Sequence, residues 1–334
     1  MKDFGIIIAC YKKDYRFAKG CCASIRYFLG DVPICLLVDG SFSVAEVEKA
    51  YDVNVIYRND VTNQVLKNRS FGYGITKMVA FWESPFQHFL FMDADTIAWG
   101  NILKYANFED FDFVIDRTEP SYLNDRGINK SFFDTEKLEK YFPNFNWQKY
   151  RYNYFITGVF FAKRGIFELD KYVQMLDFCE KYPGIFKFGD QGLLNFLIFQ
   201  GAEQGKLRVK NEDMQFFGSD FINNHRLKKR FSLSNNKPLV ENNDATVIHW
   251  AGGINSPLLA RTEVYNQPMT FFRQKCLHDY GGINGIRTKI SLYLEDFWPN
   301  LKIYGQKLGK QFPTLRQTLG TLKRNTQKIL HIDS

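Results

Sequence analysis

No stretch of the 334-residue chain approaches the roughly 18 to 20 consecutive apolar residues of a membrane span. The opening residues, MKDFGIIIACYKKD, carry an apolar run too short and too closely flanked by charge for a signal peptide, so the chain is expected in the cytoplasm. None of the six cysteines (Cys10, Cys21, Cys22, Cys35, Cys179, Cys276) forms a C-x-x-C pair. Cys10, Cys21 and Cys35 sit inside apolar patterns, where cysteine acts as a small hydrophobe, so reduced thiols are expected in place of a zinc or disulfide framework. Closely spaced glycines are missing from ACYKKDYRFAKG, after the first apolar run, where a nucleotidyltransferase would want a Gly-rich, Arg-containing phosphate loop. Internal repeats are also lacking.

What is present is a large apolar and aromatic content, 45% and 17% of residues, enough for one big domain with or without an appendage. FGIIIACY (4 to 11) reads as a buried strand, and Phe17, Cys21, Ile25 and Phe28 have helical spacing before Gly30. VPICLLVDG (32 to 40) reads as a second strand. Ser43 and Glu46 have the spacing of a capping box ahead of a helix through Tyr51, and VNVIY (53 to 57) is a third strand. Continuous apolar strands separated by helices imply a parallel sheet covered on both faces, whose ligands bind at the carboxyl ends of the strands. A helix through GITKMVAFWE, strands at FDFVID (111 to 116) and YFITGVFFA (154 to 162), a helix from DQGLLNFLIF (190 to 199) and a strand in ATVIHWAGG (245 to 253) follow. The aromatic and charged stretch between the strands at 116 and 154 reads as a long loop or short helices over the site.

FLFMDADTIAWGN (89 to 101) ends a buried strand in Asp93 and Asp95, which alternation points to the same side. Two like charges so placed need a cation, a shared proton or water, unless the turn is simply solvated. Candidate partners are Asp190-Gln191, Lys77, and His249 ahead of Gly252-Gly253, a loop whose backbone could approach a phosphate. Two carboxylates and an imidazole suit Mn²⁺ or Mg²⁺ better than zinc, and such an ion stabilises a departing diphosphate.

TKMVAFWESPFQHFLFMDADTIAWGN resembles the core of glycosyltransferase family 8, the glycogenin and lipopolysaccharide galactosyltransferase group. Similar elements recur in the family's order: Asp14-Tyr15, Asp116, Thr157-Gly158-Val159, Asp190-Gln191 and His249-Trp250-x-Gly252. The resemblance spans roughly residues 4 to 257 and implies an α/β, GT-A (Rossmann-like) nucleotide-diphospho-sugar transferase fold over 1–257, with a helical, basic C-terminal region over 258–334. It implies a hexosyltransferase that takes a UDP-sugar donor and a saccharide or glycolipid acceptor with Mn²⁺ and retention of anomeric configuration, as in polysaccharide or lipopolysaccharide synthesis. Asp93, Asp95 and His249 would hold the metal, with Ala94, Gly252 and Gly253 among the residues that bind the donor. Tyr15 would stack on uracil, and Lys77, Asp116, Asp190 and Gln191 would contact the transferred sugar. The chain departs from the family at Ile156, in place of Asn, and at Asn255-Ser256-Pro257, in place of a Lys-Pro ending.

Two other readings compete. A haloacid dehalogenase-type phosphatase also has a strand ending in Asp-x-Asp-Thr, but its later Gly-Asp element needs a further Asp where this chain has Leu194 and Asn195. A catalytically inactive protein of the same fold that binds membrane or a partner is supported by Ile156 and Asn255. The net charge of +8 does not point to nucleic acid: from residue 286 on, nine basic against three acidic residues give +6, so most of the excess lies in the tail. Leu294, Trp298, Leu301, Leu308, Phe312, Leu315, Leu319, Leu322 and Ile329 trace an amphipathic pattern there, cut by Pro299, Pro313 and Gly320. Such helices either pack on the catalytic domain or lie peripherally on an anionic membrane, where each Lys or Arg contributes about 1 kcal/mol.

Overall fold

A computed structural model describes residues 2–72, 74–118, 124–217, 230–234, 237–240, 244–250 and 268–297. It shows a mixed α/β fold built on a seven-stranded sheet, as the alternation of apolar runs and helices implies. β1 (Lys2–Tyr11), β2 (Ile34–Asp39) and β3 (Asn54–Tyr57) alternate with α1 (Tyr15–Leu29) and α2 (Ala45–Tyr51). α3 (Gln64–Arg69), a 3₁₀ turn (Ile75–Val79) and the one-turn α4 (Ala80–Glu83) lead into β4 (Phe86–Asp93), and β5 (Thr96–Trp99) follows it directly. β6 (Phe113–Asp116), the short helices α5 (Asp125–Ser131) and α6 (Thr135–Tyr141), β7 (Val159–Lys163), α7 (Leu169–Lys181), α8 (Asp190–Glu203), β8 (Val209–Glu212) and β9 (Gln215–Phe217) come next. A two-stranded ribbon of β10 (Leu233–Ser234) and β11 (Lys237–Pro238), then β12 (Thr246–His249) and α9 (Pro268–Gly281), complete the named elements; a further helix covers 286–297.

The large sheet has the order β3-β2-β1-β4-β7-β6-β8, and every strand but one runs the same way. β7 is antiparallel to both β4 and β6, so the sheet is not wholly parallel. Alternation along β1 sends Ile6 and Ile8 to one face and Ile7 to the other, and all three are fully buried. The first face packs under α1, α2 and α9; the second lies under the aromatic layer built by Phe81, Phe89, Phe91, Phe113 and Phe160. Each such side chain contributes about 1.5–3 kcal/mol on burial. A second sheet of order β5-β12-β9 joins β5 antiparallel to β12 and β12 parallel to β9. It brings the end of β12 beside the end of β4.

Several local readings change. The helix expected through GITKMVAFWE is a 3₁₀ turn and a single α turn, because Gly74 at φ +84° breaks the entry and Lys77 is drawn into the interior. The strand expected from Tyr154 begins only at Val159, since buried Asn195 of α8 takes both backbone groups of Phe155, at 3.1 Å and 2.9 Å. Ser43 accepts from Ala45 N–H at 3.3 Å, and no capping box with Glu46 forms. The stretch between 117 and 153 does hold short helices, α5 and α6.

Of the region expected to begin at 258, residues 268–297 are described. Met269, Phe272 and Cys276 of α9 join the core beneath α1. The helix over 286–297 turns Glu295 and Asp296 inward onto the buried cations Arg16, Lys19 and Arg273; Arg273 meets Glu295 at 2.7 Å and Asp296 at 3.0 Å. The amphipathic pattern beyond Phe297 lies outside the described residues.

Candidate metal centre

β4 carries Asp93 to the carboxyl edge of the sheet, where the Asp93 N–H donates to Gly158 O at 2.7 Å. The two-residue step to β5 is tied back by Thr96 Oγ1, which donates to Asp93 O at 2.7 Å, and by Trp250 N–H, which donates to Asp95 O at 3.1 Å. The pairing of His249 with Thr96 across β12 and β5 then sets the imidazole against both carboxylates. One ligand atom each from Asp93, Asp95 and His249 lies within 4.8 Å of the others, with His249 Nε2 at 3.4 Å from Asp95 and 3.8 Å from Asp93. His249 and Asp95 are buried and Asp93 is half-buried.

Gly158 makes this approach sterically feasible. A Cβ there would stand 2.1 Å from His249 Cε1, 2.7 Å from Nδ1 and 2.9 Å from Asp93 Oδ2. His249 Nδ1 lies 2.8 Å from Gln215 Oε1, and Gln215 Nε2 donates to Ile156 O at 3.3 Å. With its proton on Nδ1, donated to Gln215 Oε1, the imidazole would present the Nε2 lone pair to the carboxylates. Two carboxylate oxygens and one such nitrogen fit Mn²⁺ or Mg²⁺ by donor type.

Lys77, 4% exposed, joins this triad to Asp190. Its ammonium lies 3.2 Å from Asp93 and 2.9 Å from Asp190, and it donates to Thr157 O at 2.8 Å. Thr157 Oγ1 donates to Asp190 Oδ2 at 2.7 Å. Burial alone would lower the Lys77 pKa; the charges of Asp190 and Asp93 outweigh it and raise the value. Burial raises the Asp93 carboxyl, with Lys77 and His249 pulling against it and Asp95 and Asp190 adding to it. Burial would likewise raise Asp95, but the hydrogen bond and charge of His249 hold it below the usual carboxylate range. Three acidic side chains lie around one ammonium, which pairs with Asp93 and Asp190 while Asp95 meets only His249, so the site is short of positive charge. Gly74, at φ +84°, backs onto Asp190, where a Cβ would come 2.3 Å from Oδ1.

The remaining candidates are dispersed. Asp116, at the end of β6, is buried and accepts the N–H groups of Met214 and Gln215 at 2.8 Å and 2.9 Å; burial pushes its carboxyl up to about 7 against those bonds. Gln191 Nε2 donates to Ser131 O at 2.7 Å, toward α5. The Tyr15 ring packs on Phe42 with the Lys19 ammonium over it, and its hydroxyl has no hydrogen-bond partner among the described residues. Ala94 is buried in the core, and Gly252 and Gly253 fall outside the described residues. Sequence reasoning passed over Gln215 and Asn195, neither of which belongs to a recognisable pattern, and the burial of Asp14. That carboxyl is raised by burial first, against the Tyr11 N–H it accepts at 2.7 Å, and further by Asp95 and Asp93.

No known protein family and no curated protein matches the chain. Among solved structures it is similar to the galactosyltransferase LgtC in complex with donor and acceptor sugar analogues, with 13% identity over 84% of this chain and 96% of that one and a TM-score of 0.49. It is similar to the bifunctional glycosyltransferase WbbM, with 13% identity over 82% and 52% and a TM-score of 0.49. A third likeness, to glucosyl-3-phosphoglycerate synthase from Mycobacterium tuberculosis with Mn²⁺, UDP and glucosyl-3-phosphoglycerate, has 12% identity over 63% and 70% and a TM-score of 0.39.

Proposed function

We propose that the chain is a metal-dependent glycosyltransferase with a GT-A-type catalytic domain that moves a hexose from a UDP-sugar to a saccharide or glycolipid acceptor with retention. One observation carries the reading: Asp93, Asp95 and Nε2 of His249 converge at the carboxyl end of a buried central strand, one lysine away from Asp190. A bound divalent ion supplies charge neutralisation for the diphosphate as it leaves. Lys77 bridges Asp93 and Asp190, and Thr157 fixes the Asp190 carboxyl, so an acidic group is placed for the cationic character that develops at the anomeric carbon. An amide is a poor nucleophile, and that of Gln191 is held by Ser131, so front-face attack is the route to retention. The Asp190→Asn variant should lose most transfer while still binding UDP and Mn²⁺; undiminished transfer would refute the role of Asp190.

A membrane-facing acceptor is favoured by the helix over 286–297. Ile286, Ile290, Tyr293, Leu294 and Phe297 form an exposed stripe with Arg287 and Lys289 beside it, while Glu295 and Asp296 face the protein. An apolar stripe flanked by basic residues suits peripheral contact with an anionic surface. The full chain should sediment with phosphatidylglycerol vesicles and not with phosphatidylcholine vesicles, and Tyr293→Asp should weaken that; sedimentation with neither would end this reading.

A further inference from the structure

A neutral histidine left to itself prefers its proton on Nε2, which in this chain is the atom turned toward Asp93 and Asp95. A ligating Nε2 has to be unprotonated, so the proton must be held on Nδ1 by an acceptor. We propose that Gln215 is the positioning residue that imposes this tautomer on His249, and that Asp116 holds Gln215 in place, resting on the metal site proposed above.

Four features lead to this assignment. Gln215 Oε1 is 2.8 Å from Nδ1. The amide is kept from presenting its other end, because Nε2 is engaged by Ile156 O at 3.3 Å. The register of β9 and β12 sets Gln215 opposite Val247, which makes Gln215 and His249 diagonal neighbours on one face of the small sheet. β9 is a three-residue edge strand, held on its free side by the Asp116 carboxylate, which takes the N–H groups of Met214 and Gln215. The His249 ring has little room to turn, with Gly158 against one side and the Phe217 ring at 5.5 Å. A neutral amide suits the place. A carboxylate at 215 would also accept from Nδ1, but would add a fourth acidic group beside Asp93, Asp95 and Asp190, of which Lys77 pairs with Asp93 and Asp190.

The Asp116 carboxylate is thereby given a use within the protein. It reaches the metal ligand through two links, its own bonds to the backbone of residue 215 and the Gln215 side chain, with no need to touch a sugar.

The test uses the full chain labelled with ¹⁵N-histidine, free of metal at pH 8, with His249→Asn to assign the resonance. Long-range ¹H–¹⁵N spectra should show the Nδ1–H tautomer in the wild type and in Gln215→Glu, and movement toward Nε2–H in Gln215→Leu and Asp116→Ala. Titration with Mn²⁺ alone, followed by electron paramagnetic resonance, should show Gln215→Leu weakened about 10- to 100-fold and Gln215→Glu close to wild type. Urea unfolding at the same pH separates a ligand effect from a folding loss: a Gln215→Leu chain as stable as wild type yet weak for Mn²⁺ supports the role. An unchanged tautomer together with unchanged Mn²⁺ affinity in Gln215→Leu would overturn it. Wild type that binds Mn²⁺ with His249 as the Nε2–H tautomer before metal is added would overturn it alone, whereas wild type that binds no Mn²⁺ would overturn the metal site itself.

Discussion

Gly158→Ala adds a single methyl group where three site atoms already crowd. The new Cβ would stand 2.1 Å from His249 Cε1, 2.7 Å from Nδ1 and 2.9 Å from Asp93 Oδ2. Ordinary carbon contacts begin near 3.5 Å, so the imidazole must retreat by more than about 1 Å, or β7 must lift from β4 by as much. Overpacking of this kind costs about 1–3 kcal/mol of stability. Metal sites tolerate far less than they lose here, since ligand distances hold to about 0.2 Å and productive site geometry to about 0.5 Å. Mn²⁺ affinity should therefore fall by at least about tenfold, comparable to losing a supporting contact of the ligand. Gly20→Ala is the control: its Cβ meets the end of the flexible Met269 side chain at 2.7 Å, away from the triad, and should cost stability with no change in Mn²⁺ binding. The assay is Mn²⁺ titration by electron paramagnetic resonance beside urea unfolding of both variants. A Gly158→Ala chain that folds and binds Mn²⁺ within about twofold of wild type, under half a kcal/mol by the tenfold-per-1.4 kcal/mol rule, would refute the reasoning.

Lys77→Met leaves Asp93 and Asp190 facing one another without their shared ammonium, and breaking a buried pair from one side should cost about 3–5 kcal/mol at pH 7. The uncompensated carboxyls then have raised values in the folded state, so part of the loss should return on going to pH 5; urea midpoints that fall equally at both pH values would contradict this. The Asp116 carboxyl, near 7 folded and near 3.9 unfolded, contributes stability that is full below pH 4 and lost as pH rises toward 7. Asp116→Asn retains an acceptor oxygen and should remove that slope, gaining on wild type by up to about 4 kcal/mol between pH 4 and 7, measured by urea unfolding. Burial pushes the thiols of Cys21, Cys35 and Cys276 up to about 12, while Cys179 is only half-buried, so native protein at pH 8 should label with iodoacetamide first at Cys179, as peptide mapping would show.

The strands β1, β2 and β4 were legible because they are buried on both faces and so carry unbroken apolar runs. Direction is not written in such a run, which is why the reversal of β7 came only from the structure. The residues before β7 look like strand by composition, yet Asn195 removes Phe155 from the ladder and Thr157 and Gly158 serve Lys77, Asp190 and His249 instead. Gly74 similarly disguises a broken turn as a helix, since its cost falls on a backbone angle and its benefit on the room given to Asp190. That Asp93, Asp95 and His249 come together was legible because two carboxylates at the end of a buried strand call for a compensating partner. Gln215 was not, because one glutamine in a three-residue strand gains its meaning only from the pairing of β9 with β12.

Binding of UDP to the full chain, measured by calorimetry with and without Mn²⁺, tests the central claim most directly. UDP should bind at least tenfold more tightly with Mn²⁺ present, and Asp95→Asn should abolish that difference while leaving the fold intact. Equal UDP binding with and without Mn²⁺, or no UDP binding in either case, would contradict it.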